Sequence, residues 1–193
     1  MKTIANVALL VCLLALPTLT CAQTDAFGAP DTVYAEVAKV DNGTWTITVS
    51  CFNDEPLVGI SVPIKMAAGM NKIVADSAVY TGGRVVEANF NTARYRADTA
   101  IQCVTLGMLA NIGPTDNQLA PGKGRLATIY VSSIEDKPIE SLTIDTTTTD
   151  RNTLMMIAHD SQVASVAVDS NTTPHKKFEM RLITPVWRVT TVE

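Results

Sequence analysis

Two runs of alternating apolar and polar residues lie between Thr44 and Met66, joined by the short acidic stretch Asn53-Asp54-Glu55-Pro56. Trp45, Ile47, Val49 and Cys51 fall on one side of an extended chain, and Thr44, Thr46, Thr48 and Ser50 on the other, a period of two. A helix would scatter those threonines around its circumference. In the second run Ile60, Val62, Ile64 and Met66 point inward, with Ser61, Pro63 and Lys65 outward. The pattern reads as one hairpin with a single buried face. Pro63 has no backbone donor, which places it at a sheet edge or a bulge.

The rest of the chain carries the same signature. Residues 32–40 are rich in β-formers and lead into Asp41-Asn42-Gly43, a turn whose Asn-Gly pair tolerates positive φ. Further strands are expected over 73–80, 100–110, 125–132, 141–147 and 162–168, with one long terminal strand over 178–192 bent at Pro185. Residues 82–97 are ambiguous and can hold a helical turn, and 111–124 has the composition of a loop. Nine or ten short strands with little helical periodicity predict an all-β, two-sheet β-sandwich, because stacking two sheets buries both alternating faces. A closed barrel is the alternative.

Residues 1–22 decide the compartment. Lys2, the apolar run Ile4–Leu16, Pro17 and the small residues around Thr20-Cys21-Ala22 make a signal peptide cleaved after Ala22. Its apolar core is well short of the roughly 20 residues that span a bilayer, so no transmembrane anchor is expected. Thr18-Leu19-Thr20 matches a lipobox poorly, and lipoprotein anchoring through Cys21 is not expected either. The domains are then the leader 1–22, a short linker 23–30, and a single sandwich domain 31–193, secreted or held at the cell surface. With 15 Lys and Arg against 19 Asp and Glu and no basic cluster beyond Lys176-Lys177, the chain lacks a nucleic-acid footprint. Nearly half of its residues are apolar, which excludes disorder.

After cleavage Cys51 and Cys103 remain, an even number in an oxidising compartment. A disulfide between them would close a loop of about 50 residues and stabilise by roughly 4 kcal/mol. The competing reading is two buried thiols acting as small hydrophobes.

Two segments carry a family resemblance. Phe52 to Met66 is similar to the second and third strands of cohesin-like domains, where an acidic turn leads into small-Gly-hydrophobic-Ser-hydrophobic-Pro-hydrophobic-Lys. Pro121 to Val131 resembles the family's Gly-rich turn and the hydrophobic-small-Thr-hydrophobic strand after it. The resemblance implies a jelly-roll sandwich of about nine strands, related to carbohydrate-binding modules, and a protein partner that is dockerin-like. Polysaccharide binding is the alternative, and self-assembly through a sheet edge, either the Pro63 strand or the Thr-rich 141–149 segment, is a third reading. The chain contains no dockerin loop of its own, since Asp145 to Asp150 lacks the Ca²⁺-loop grammar.

Candidate binding residues are Ser61, Pro63 and Lys65 on an outward sheet face, and Trp187, whose face the sequence leaves undecided. Trp45 is expected in the core. Asn53-Asp54-Glu55 reads as a solvated turn rather than a Ca²⁺ site. The cysteines with the isolated His159 and His175 offer too few ligands for a metal, and no cofactor is implied. Ser61 and His159 lack the surroundings of a catalytic nucleophile, and His159-Asp160 reads as a loop pair. Adjacent Asp54 and Glu55 would diverge rather than flank a sugar, so no enzyme is expected. Asn42-Gly43-Thr44 and Asn171-Thr172-Thr173 fit the glycosylation sequon and are read as turns. Intact-mass analysis of the exported protein is expected to give a chain beginning at Gln23; a start at Met1 or a lipid-modified Cys21 would contradict that reading.

Overall fold

The computed structural model describes residues 28–192 except 42, 111–116, 136, 149–151 and 168–174, and of residues 159–167 and 175–179 the backbone alone. The leader, Cys21, most of the linker and the two sequon asparagines lie outside the described residues. Among the described residues, eleven strands and one short helix follow in chain order. They are β1 (Thr32–Lys39), β2 (Thr44–Asn53), β3 (Leu57–Ala67), β4 (Ile73–Val79), α1 (Arg84–Glu87), β5 (Thr92–Asp98) and β6 (Cys103–Leu109). After them come β7 (Gly122–Ser133), β8 (Thr143–Thr146), β9 (Met155–Ala167), β10 (His175–Ile183) and β11 (Val186–Val192).

The first sheet has the order β11-β1-β2-β7-β4, and the second β10-β9-β3-β6-β5 with β8 beside β3. The result is the all-β jelly-roll sandwich anticipated, with eleven strands in place of about nine. The two additional strands come from an ambiguous run and from a run that splits. The ambiguous 82–97 stretch supplies both α1 and β5, and the supposed single terminal strand is two.

Alternation does what the sequence implied in β2. Trp45, Ile47, Val49 and Cys51 are buried, whereas Thr44, Thr46, Thr48 and Ser50 are only half-covered. They meet Ile60, Val62, Ile64 and Met66 of β3 and Val104, Leu106 and Met108 of β6 across the sandwich in one continuous core. Trp45 belongs to that core and its indole N–H donates to Ile139 O at 3.0 Å. The Asp41 turn also forms as expected: β1 and β2 pair antiparallel, and the Asp41 carboxylate accepts from Gly43 and Thr44 N–H.

Three expectations are corrected. First, β2 and β3 are not a hairpin; they lie in opposite sheets, and the acidic stretch between them carries the chain across the sandwich. Facing rows and neighbouring rows write the same alternation, so the pattern alone does not tell them apart. Second, Pro63 is neither at an edge nor exposed. It sits mid-strand in the central β3 and is buried. On one side β3 pairs with β9 as far as Ser61 and with β8 from Ile64 onward, so Pro63 occupies the junction. Its carbonyl accepts from Thr147 N–H, and N–H and C=O of one strand residue point the same way, so the missing donor falls at that junction. Third, Pro185 does not bend a strand. β10 ends at Ile183 in the second sheet, Pro185 is buried at the crossover, and Val186 N–H bonds Asp31 O at 2.8 Å to begin β11 in the first sheet.

The disulfide is corrected as well, because both cysteines are free and buried. Cys51 faces the core near the end of β2, level with Gly124 of β7. Cys103 lies opposite Lys65 in the second sheet, next to Gln102, whose side chain bonds Ile73 N–H at the Ser133 end of β7. The two sites are therefore at opposite ends of the sandwich, on the order of 25 Å apart at the rise of a strand. That separation is several times what a disulfide spans. Burial pushes the Cys51 thiol up to about 11 despite the nearby Arg84 guanidinium, and burial raises Cys103 also. Alkylation after denaturation without reductant is expected to tag both Cys51 and Cys103, and reductant should leave the melting temperature unchanged.

Candidate functional site

The outer face of the second sheet is laid out by register. Strand residues paired across a ladder point to the same side, so each row can be followed from edge to edge. One row runs Asp98, Cys103, Lys65, Asp145, and the next runs Arg96, Thr105, Pro63. Arg94, Gly107, Ser61 and Met155 follow, and then Thr92, Leu109, Gly59, Ile157 and Leu182. The inward partners of these strands, Val104, Leu106, Met108 and Val62, are fully or almost fully buried, which fixes which side faces out.

This face has a flat middle. A Cβ at Gly107 would meet nothing within 4 Å, whereas one at Gly59 would strike Ile157 Cδ1 at 2.8 Å. Ile157 thus lies over Gly59, and the strip at Gly107 and half-buried Ser61 stays open. Arg94, Arg96 and Lys65 are exposed around it, and none of them makes an ion pair or side-chain hydrogen bond among the described residues. Exposed Leu109 and Leu182 border the same row.

Of the four sequence candidates, Ser61 and Lys65 share this face. Pro63 shares its row but is buried beside Thr146 Oγ1 and Thr147 N, both of which donate to its carbonyl. Trp187 belongs to β11 of the first sheet. It pairs with Val33, faces inward, and lines a cavity of about 540 Å³ with Thr146, Thr153, Leu154, Leu182 and Pro185. Its indole nitrogen is buried with no hydrogen-bond partner among the described residues, and no tyrosine lines that cavity. Sequence reasoning missed Arg94 and Arg96, because the stretch holding them showed no clear period until its pairing with β6 set one.

A second cluster sits at the end of the sandwich where β2 leaves the first sheet. Asn53 is fully buried, not part of a solvated turn. Its amide donates to Glu55 O and Ala120 O, while its Oδ1 accepts from Arg84 Nη1 at 2.8 Å. Arg84 Nη1 also reaches Cys51 Sγ at 3.1 Å and Gly122 O at 3.0 Å, and Nη2 reaches Ala120 O at 2.5 Å. Gly124 makes room for the stem, since a Cβ there would meet Arg84 Cδ at 2.8 Å. Next to this knot one carboxylate oxygen from each of Asp31, Asp54 and Glu55 lies within 4.8 Å of the others. Three carboxylates could hold a cation, although Ca²⁺ asks for six to eight oxygens. The hydrogen bond from Glu55, helped by Ala29 N–H at 2.6 Å, holds Asp54 below the usual carboxylate range.

No protein-family model matches the sequence, and no curated protein does. Solved structures do match. The seventh ScaB type I cohesin of Pseudobacteroides cellulosolvens superposes with a TM-score of 0.55 at 7% identity, covering 84% of this chain and 92% of that one. A type I cohesin from a cohesin–dockerin complex of Clostridium thermocellum gives 0.50 at 12% identity, covering 83% and 99%. The chain has a cohesin-like fold. At such low identity the likeness concerns the fold, and the cohesin-like sandwich spans nearly the full length of both relatives.

Because Asp54 is depressed when folded, its ionised form contributes stability above its unfolded value, and the contribution is lost as pH falls through the folded value. Asp54→Asn is therefore expected to destabilise at neutral pH and to converge on the parent in strong acid, as read from urea unfolding at the two pH values. Equal destabilisation at both would contradict the assignment.

Proposed function

We propose that this chain is an exported, non-catalytic binding module that engages a protein partner of dockerin kind through the outer face of its second sheet. The observation that carries this reading is the open strip at Gly107 and Ser61 with the exposed cations Arg94, Arg96 and Lys65 around it, unpaired among the described residues. A flat middle admits an apolar helix or strand face, and the cations select a partner that brings carboxylates to the rim. The cohesin of similar fold from Clostridium thermocellum was solved in complex with a dockerin, which supports a protein as the partner. The signal-like residues 1–22 support export, and no described helix is long and apolar enough to cross a membrane.

Polysaccharide recognition has less behind it. Sugar rings stack on exposed aromatic faces, yet Trp187 is half-buried and packs against the core. No aromatic residue occupies the rows that cross the open strip.

Affinity capture from the producing cell's exported proteins, with Arg94→Glu/Arg96→Glu beside the parent, tests the assignment. The double reversal is expected to weaken binding of the captured partner by at least about tenfold while the far-UV spectrum stays unchanged. Equal binding by both would remove this face from consideration.

A further inference from the structure

Sheet edges that are not meant to pair usually carry protection: charges, bulges, short strands or a covering element. Most outer strands here follow that rule. β4 has a bulge between Ala75 and Ser77, and Tyr95 Oη of β5 bonds Asp76 O at 2.7 Å across that edge. β5 carries Arg94, Arg96 and Asp98, β8 is only four residues long, and β10 has a bulge between Lys177 and Glu179. Among the described residues, β11 has no bulge and no strand paired over its outer edge. Its sequence, VWRVTTV, holds a single charge, and its seven residues pair in unbroken parallel register with β1. Val186, Val189 and Val192 are 41%, 42% and 45% exposed.

The free edge of β11 has a definite set of peptide groups. Val186 N–H points at β1, where it bonds Asp31 O. In a parallel ladder every second residue turns its N–H and C=O the same way, so Arg188, Thr190 and Val192 also face β1. Trp187, Val189 and Thr191 then direct theirs to the open side. Among the described residues, β1 is the only strand β11 pairs with.

We infer that β11 pairs antiparallel with β11 of a second copy of this chain about a two-fold axis at Val189, joining the two first sheets into one. This register brings Val189 opposite its twin and Trp187 opposite Thr191, so the outward peptide groups of all three residues meet reciprocal partners. It uses the whole strand, with Val186 opposite Val192. It also places Arg188 opposite Thr190. Sliding by one pairing step toward Val186 would instead set Arg188 against its own copy, and like charges directly opposite are unfavourable. Charge placement and strand length both fit the strand to itself, and β-branched residues opposite one another are favourable cross-strand neighbours. Val189 points to the same side as core residue Val33's neighbour Ala35, and is left uncovered in a single copy.

The test is sedimentation equilibrium of the purified chain at rising concentration, with Val189→Lys and Val189→Pro beside it. The lysine sets two ammonium groups opposite each other, and the proline removes an N–H that only the open edge uses. The parent is expected to dimerise, and each variant to weaken the dimer by at least about tenfold with an unchanged far-UV spectrum. A parent that stays monomeric, or a dimer of unaltered affinity in both variants, overturns the inference. Should both variants fail to fold, Val189→Cys decides. A hydrogen-bonded antiparallel pair holds Cα atoms about 5.5 Å apart, within disulfide reach, so mild oxidation should yield a covalent dimer. Failure to cross-link overturns the proposal.

Discussion

Side chains of an extended strand alternate between two sides, and everything else in this molecule follows from how consistently the chain exploits that fact. Ile47 and Val49 of β2, Val62 and Ile64 of β3, Leu106 of β6 and Ile129 and Val131 of β7 are all fully buried. They belong to both sheets and pack into a single dry layer. With every second residue committed to that layer, the remaining ones form ordered outer rows. The proposed binding face is therefore a by-product of the core: burying Val104, Leu106 and Met108 inward is what turns Thr105, Gly107 and Leu109 outward.

A sandwich of this kind must also carry its chain from one sheet to the other, and polar groups would be stranded at those crossings without partners. Two crossings illustrate different solutions. At Asn53 to Leu57 a buried amide and the Arg84 guanidinium take up carbonyls from Glu55, Ala120 and Gly122, tying β2, α1 and β7 together. At Thr184-Pro185 the chain uses a residue with no N–H to satisfy, and β11 resumes pairing at once on Asp31. The same economy explains Pro63, which is central but meets the gap where β9 gives way to β8.

Much of this was legible in the residues. The inward set of β2 and β3, the Asp41 turn and the core position of Trp45 all follow from period and turn chemistry, and the fold class follows from them. What could not be read was partnership between strands. Alternation marks a face but does not say whether β3 lies beside β2 or across from it. For the same reason Pro63 looked like an edge residue, and Cys51 and Cys103 looked like a pair although register puts them at opposite ends. Arg94 and Arg96 join the candidate site only through the alignment of β5 on β6. Ser61 and Lys65 were recoverable because their strand has an unambiguous period; Trp187 was not, because its neighbours do not alternate.

The proposed recognition face and the inferred pairing edge then occupy different parts of the molecule: the second sheet presents cations around a flat strip, and the first sheet ends in a plain strand edge. Both depend on the orientation of side chains within single strands, and β6 offers the sharpest check. Leu106→Ala empties a fully buried site, and Thr105→Ala alters its immediate neighbour on the outer face. Urea unfolding should show a loss of about 2–5 kcal/mol for Leu106→Ala and about 0.5 kcal/mol or less for Thr105→Ala. Similar losses for the two, or a larger one at Thr105, would contradict the arrangement of the sheets.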